Sequence, residues 1–276
     1  MPLPSHRTLA SIRRRAVRSF RKLVHRDRRR ASRERARLEN LPRRTPTTTT
    51  LLGTEIRILD APSYLGMYSA LFERAELHFH ADTDTPYIID GGANIGMATI
   101  YFKTLHPGAR VVAFEPDPQA FEALQHNLGA FGLHDVEAHR LGLWSSEGSV
   151  SFMREGADGG RIAQADDEAD HTIRTVRLRP FLDRPVDFLK LDIEGAEVDV
   201  LHDVRDLLGW VRCLFVEYHS FEGQPQRLHE LLEILGEAGF RISLKAWAPP
   251  KRPFLKRRTN LGMDLQVDVA GWRPGG

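Results

Sequence analysis

A chain of 276 residues, 41% hydrophobic and 28% charged, is ordinary for a soluble globular protein and can hold one large domain or two small ones. Its single cysteine, Cys213, excludes an internal disulfide framework. The lack of any run of about 18 apolar residues, or of a secretory signal's apolar core, makes a cytoplasmic location the expectation.

The net charge of +2 conceals an asymmetry. Residues 1–44 carry sixteen Lys/Arg against Asp27, Glu34 and Glu39, whereas the other 232 residues carry 23 basic and 34 acidic groups. Within this basic arm Leu9, Ile12, Ala16, Phe20 and Leu23 recur at steps of three and four, which is one face of a helix. Such a helix can lie on an anionic membrane surface, contact another polyanion, dock on the acidic body, or stay a solvated extension. "TPTTTT", 45–50, reads as an extended linker. The division expected is therefore an arm and linker over 1–50 and a folded domain over 51–276.

From residue 51 the pattern is regular. "EIRIL" predicts a short strand, and 63–79 a helical stretch able to cap a site. "YIID" predicts a strand that runs through Gly91, Gly92 and Gly96 into a helix with Ile95, Ala98, Phe102 and Leu105 on one face. "RVVAFE" follows as a strand, and Asp117-Pro118 is an N-cap and first-turn pair for a helix burying Phe121, Leu124, Leu128 and Phe131. "DVEAHRL" and "SVSFM" read as further strands, the second at an edge, and 154–170 as a mobile loop or lid. "VDFLKLD" is a buried strand before the helix "GAEVDVLHDVRDLLG". "CLFVEY" is the next strand, followed by a helix through Leu228, Leu231, Leu232 and Leu235. "RISLKAW", a basic loop over 250–258, and "MDLQVDV" close the chain. Strands alternating with helices call for a mostly parallel α/β sheet covered on both faces, with the last two strands antiparallel.

The glycine turn "IIDGGANIG" tests two phosphate motifs. A P-loop needs Lys after its last glycine, and Gly96 is followed by Met97. A dinucleotide fingerprint needs Gly at 93, which is Ala, and Asp90 before the turn would repel a pyrophosphate. An acid at that position suits a ligand carrying an amine or sulfonium, and Glu115, ending the second strand, can accept from a ribose diol. Together these ask for a nucleoside joined to a cationic amino acid, namely S-adenosylmethionine.

"IIDGGANIGMATIYF", "VVAFEPDPQAFEALQHNL", "DFLKLDIEGAEVDVLHDV" and "LFVEYH" resemble, in order and spacing over residues 87–219, the motifs of the FkbM family of class I S-adenosylmethionine-dependent methyltransferases. The resemblance implies a Rossmann-like fold. It also implies that Gly92 and Gly96 let the backbone approach the cofactor's amino-acid end, that Asp90 and Asn94 orient its polar groups, that Glu115 holds the ribose, and that Leu141 and Gly142 lie near the adenine. In this family the expected acceptor is a hydroxyl of a sugar, glycan or secondary metabolite. The basic segments leave open nucleic-acid or N-methylation, and a non-catalytic binding module docking through the arm.

An alcohol acceptor must lose a proton. "KLDIEGAE" and "VEYH" end the fourth and fifth strands at the edge where open α/β sheets bind ligands. Asp192 is the candidate nearest the transferring methyl and Glu194 an acceptor contact. His219 is the candidate base, since an imidazole's ordinary pKa suits proton abstraction near neutrality. Glu197 reads as a helix-capping or ion-paired group. Asp192, Glu217 and His219 could instead gather a divalent ion, although no metal motif compels one.

Overall fold

The computed structural model describes residues 28–154, 160–162, 171–247, 252, 254–255, 259–260 and 262–273. The apolar face of residues 9–23 lies outside them, as do most of the 154–170 stretch and most of the 250–258 loop.

Seven strands form the central sheet, in the order β12-β13-β11-β10-β3-β4-β5. Strands β3 (Tyr87–Gly91), β4 (Arg110–Phe114), β5 (Glu137–His139), β10 (Val186–Leu191) and β11 (Val211–Phe221) run parallel. The C-terminal pair, β12 (Arg241–Ala246) and β13 (Met263–Trp272), is antiparallel as expected. In addition, β13 inserts between β11 and β12, antiparallel to both. From β3 the chain builds outward through β4 and β5, then returns to the other side with β10 and β11. The crevice beyond the carboxyl ends of β3 and β10 is thus a topological switch point, where open α/β sheets bind ligands.

Successive residues of each central strand feed opposite cores, because side chains alternate across a pleat. Ile88 and Phe188 join the cluster of Leu52, Ile56 and Phe102, while Ile89 and Leu189 join Val200, Leu201 and Leu231. Helices α3 (Met97–Leu105) and α4 (Pro118–Ala130) follow β3 and β4, and α5 (Glu197–Asp203) and α6 (Leu228–Glu237) follow β10 and β11. Asp117 caps α4 as the sequence indicates, accepting from Gln119 N and Ala120 N.

Three segments depart from the sequence pattern. Thr47–Thr49 is not free chain but strand β1, paired antiparallel with β2 (Ile56–Ile58). Before it, α1 (Arg28–Glu39) seats Leu38, fully buried, in the cluster of Leu52, Ile56 and Tyr64. The helix after β10 stops at Asp203 rather than Gly209, because the Arg179 guanidinium takes the Asp203 carbonyl and Arg177 pairs with its carboxylate. Finally, β6 (Gly142–Leu143), β7 (Gly148–Arg154), β8 (Gly160–Ile162) and β9 (His171–Val176) form a second sheet in the order β6-β9-β7-β8. No strand over 171–176 is evident from the sequence.

Beyond α2 (Ala61–Tyr68) the cap predicted over 63–79 continues only as a single wide turn, Ser69–Glu73. Its residues Met67, Ala70 and Leu71 roof the crevice.

Candidate active site

The β3–α3 turn is shaped by what lies directly against it. Gly92 has φ +76, and a Cβ there would stand 1.7 Å from the Asp192 carbonyl oxygen, so the turn can approach β10 only as glycine. Gly91 is also confined, its missing Cβ falling 2.8 Å from Leu143 Cδ1 and 3.1 Å from Lys190 O. Gly96, at φ +90, starts α3 beneath Leu124. Gly92 N and Ala93 N both donate to Phe114 O, at 3.0 and 2.9 Å, which ties the turn to the end of β4.

Glu115 sits across that junction. Its two oxygens accept from Asn94 N and Asp117 N, each at 2.8 Å. Burial raises its pKa to about 7 against the pull of those two N–H groups. Asn94 holds a left-handed φ of 49, and its side-chain oxygen accepts from Ile95 N.

The carboxylate of Asp90 lies behind the turn, fully buried and not on the cleft wall. One oxygen accepts from Thr99 Oγ1 at 2.6 Å, and the other stands 3.4 Å from Lys190 Nζ. Lys190 also lies 3.1 Å from Asp192 Oδ2 and donates to Gly92 O at 2.8 Å. Burial works against its charge, but Asp192 and Asp90 outweigh it and hold the lysine pKa above its ordinary value. The charge of Asp90 is thus met inside the protein by Lys190.

One cleft of about 390 Å³ gathers most of the expected residues: Gly92, Asn94, Glu115, Leu141, Gly142, Asp192 and Glu194. Gly96, like Asp90, is outside its wall. So is His219, which is 2% exposed at its side chain and enclosed by carboxylates. Its Nδ1 is 3.0 Å from Glu197 Oε1, and its Nε2 is 3.7 Å from both Glu194 Oε2 and Glu217 Oε1. Burial opposes an imidazolium, yet Glu194 and Glu197 prevail and raise the His219 pKa well above its ordinary 6.5. Glu197 makes no cap hydrogen bond to its helix; it accepts from Ile193 N and Gly195 N in the preceding loop and faces the imidazole.

The far wall comes from residues without a motif. Trp247, just past β12, is half-exposed and donates its indole N–H to Asp268 Oδ1 at 2.6 Å. Gln266 donates to Glu217 on the neighbouring strand. The available signal is the alternation Asp264, Gln266, Asp268 in a strand otherwise apolar, which marks one polar face inside a buried sheet.

This arrangement, a methyltransferase-type sheet with a glycine turn and acid at its switch point, agrees with the comparisons. Residues 90–242 match the methyltransferase FkbM domain. The chain belongs to the FkbM family of methyltransferases. Methyltransferase 1 of Beauveria bassiana is 30% identical to it over 197 residues, covering 60% of this chain and 78% of that protein. The 31-O-demethyl-FK506 methyltransferase FkbM of Streptomyces tacrolimicus is 28% identical over 193 residues, covering 56% and 72%. The 2-O-methyltransferase NoeI of Sinorhizobium fredii is 26% identical over 175 residues, covering 54% and 71%. This FkbM methyltransferase uses S-adenosylmethionine as methyl donor, and among the described residues no helix is long and apolar enough to cross a membrane.

Proposed function

We propose that this FkbM methyltransferase methylates a hydroxyl of a sugar-containing small molecule or glycan. The observation that carries the reading is one cleft lined both by the glycine turn with Glu115 and by Asp192, Glu194 and Glu217. S-adenosylmethionine, when bound, supplies an electrophilic methyl on a sulfonium. The protein's part is to bind, align and deprotonate. Glu115 keeps unused lone pairs for the ribose hydroxyls, and Leu141, Gly142 and Ile173 give the adenine an apolar wall. Asp90, through Lys190, fixes the turn rather than touching the ligand.

Lys245 Nζ lies over one face of the Trp247 indole, 4.5 Å from the ring centre, and the other face can stack a sugar ring, with Asp268 and Gln266 beside it to accept hydrogen bonds from hydroxyls. As the acceptor's O–H breaks and its O–CH₃ bond forms, the S–CH₃ bond breaks and the proton passes to a carboxylate of the cleft floor. His219, outside the cleft wall, is not assigned that role. The names of two relatives, a 2-O- and a 31-O-methyltransferase, support oxygen as the acceptor atom.

Calorimetry on the full chain is expected to show S-adenosylmethionine binding that Glu115→Ala weakens at least tenfold. A panel of hydroxylated sugars is expected to release S-adenosylhomocysteine. Absence of cofactor binding, or turnover with amine acceptors alone, overturns the proposal.

A further inference from the structure

His219 has a side that the proposed methyl transfer leaves unexplained. Its imidazole is 2% exposed, and Glu197, 1% exposed, faces Nδ1 at 3.0 Å. Glu197 is itself fixed, because the backbone N–H groups of Ile193 and Gly195 each donate to it at 3.1 Å. The ring is thereby held on its Nδ1 side, and Nε2 is aimed the other way, toward two acids. Its nearest neighbours are Glu194 Oε2 and Glu217 Oε1, both at 3.7 Å, beyond a hydrogen bond. One nitrogen held by a buried carboxylate, with the other directed at further acids, is the arrangement by which proteins orient a metal-binding histidine.

The acids in front of Nε2 are suitably placed. Asp192, Glu194 and His219 each present one donor atom, and the three atoms lie within 4.8 Å of one another. Donors about 2.1 Å from a common ion stand roughly 3 to 4 Å apart, so small side-chain rotations close the set. Charge argues the same way. Asp192, Glu194, Glu217 and Asp268 all line the cleft, against two cations: Lys190, held between Asp90 and Asp192, and Lys245, 3.4 Å from Asp268 Oδ2.

We propose that Asp192, Glu194 and His219 Nε2 hold one divalent cation of the Mn²⁺ or Mg²⁺ class at the floor of the cleft. Two carboxylates with one imidazole suit such an oxygen-seeking ion better than a zinc site built on thiolates. Coordination leaves the ring neutral, with its one proton on Nδ1 and donated to Glu197, which makes Glu197 a positioning residue. Because Asp192 and Glu194 line the cleft and His219 lies below it, the ion's remaining positions face the acceptor. This inference deepens the hydroxyl-methylation reading and rests on it: vicinal hydroxyls of a sugar can chelate the ion, which lowers the pKa of the attacking oxygen. The proton released passes to Glu217, which lines the same floor without belonging to the ligand set.

The test uses the full chain stripped with a chelator and titrated with Mn²⁺, followed by the loss of the free-ion electron paramagnetic resonance signal. Binding of one ion per chain is expected, with affinity falling at least tenfold in Asp192→Asn and 10- to 100-fold in Glu197→Gln. Electron spin-echo modulation on the unsubstituted protein is expected to show one imidazole nitrogen coupled to Mn²⁺, a readout independent of whether any variant folds. Failure to bind Mn²⁺ below millimolar concentration, or binding with no coupled nitrogen, overturns the site. Full turnover after chelation also overturns it while leaving methyl transfer intact. Loss of cofactor binding, in contrast, strikes the functional reading and not the ion.

Discussion

Both oxygens of Glu115 are committed to backbone N–H groups, and the side chain is nevertheless buried deeply enough that its pKa stands near 7 rather than 4.5. Between those two values the folded protein holds a proton that the unfolded chain has released. Its contribution to stability therefore falls as pH rises from about 4.5 to 7 and then levels off. Cofactor binding moves in the opposite sense, since the ionised carboxylate is the better acceptor for two ribose hydroxyls. Affinity for S-adenosylmethionine measured by calorimetry is expected to increase as pH rises through about 7, and Glu115→Gln to flatten that profile. Gly92 gives a second residue-scale prediction. Alanine there would place its Cβ inside the Asp192 carbonyl, so the variant is expected to lose roughly 3 kcal/mol or more, read by urea unfolding, together with cofactor binding. Gly129 in α4 has nothing within 4 Å of its missing Cβ, and Gly129→Ala is expected to stabilise by up to about 1 kcal/mol. The sequence shows which residue types surround the site but not which of them face it. Asp90 and His219 read as ligand-facing groups because strand ends carry chemistry. Only the packing reveals that Lys190 neutralises the first and that Glu194, Glu197 and Glu217 enclose the second.

At the scale of elements, local signals served best where one periodicity governed a whole segment. Strand β3, the Asp117 cap of α4 and the leucine face of α6 follow directly from alternation, capping chemistry and helical spacing. They were least informative where the partner is remote. Strand β9 is legible only beside β7, and α5 ends early because arginines from the preceding segment take its last carbonyl and carboxylate. Asn127 is a similar long-range device. Buried completely within α4, it accepts from Arg57 N at 2.7 Å and donates to Arg57 O at 2.9 Å and Ile95 O at 2.8 Å. It thereby binds β2 and α4 to the glycine turn itself. Asn127→Leu would strand these backbone groups away from water, and a loss of about 3 kcal/mol is expected. A lower urea midpoint with an unchanged slope would confirm it, whereas an unchanged midpoint would show that β2 is not anchored through this side chain.

The whole molecule is arranged around one sheet whose switch point and roof have different origins in the chain. The switch point comes from β3 and β10, legible as glycines and acids after apolar strands. The roof draws on the segment ahead of β3, where α2 and the 69–73 turn cover the cleft and α1 packs behind them. Composition sets the basic arm apart from the acidic body, yet its described portion is joined to that body by a leucine and specific ion pairs. Leu38 is fully buried, Arg35 pairs with Glu73 at 2.6 Å, and Arg43, which reaches the cleft wall, lies 3.3 Å from Asp60 Oδ2. If α1 is part of the fold, Leu38→Ala opens a cavity beside Leu52, Ile56 and Tyr64 at a cost of about 2–5 kcal/mol. For a chain of this size that corresponds to a melting temperature lower by roughly 5–15 °C. Deletion of residues 1–44 is expected to lower it at least as far and to weaken cofactor binding, because the roof of the cleft loses its support. Differential scanning calorimetry with and without S-adenosylmethionine reads both effects. An unchanged melting temperature and cofactor affinity in the deletion would mean that the helix is a tether, and that α2 and its turn hold the roof unaided.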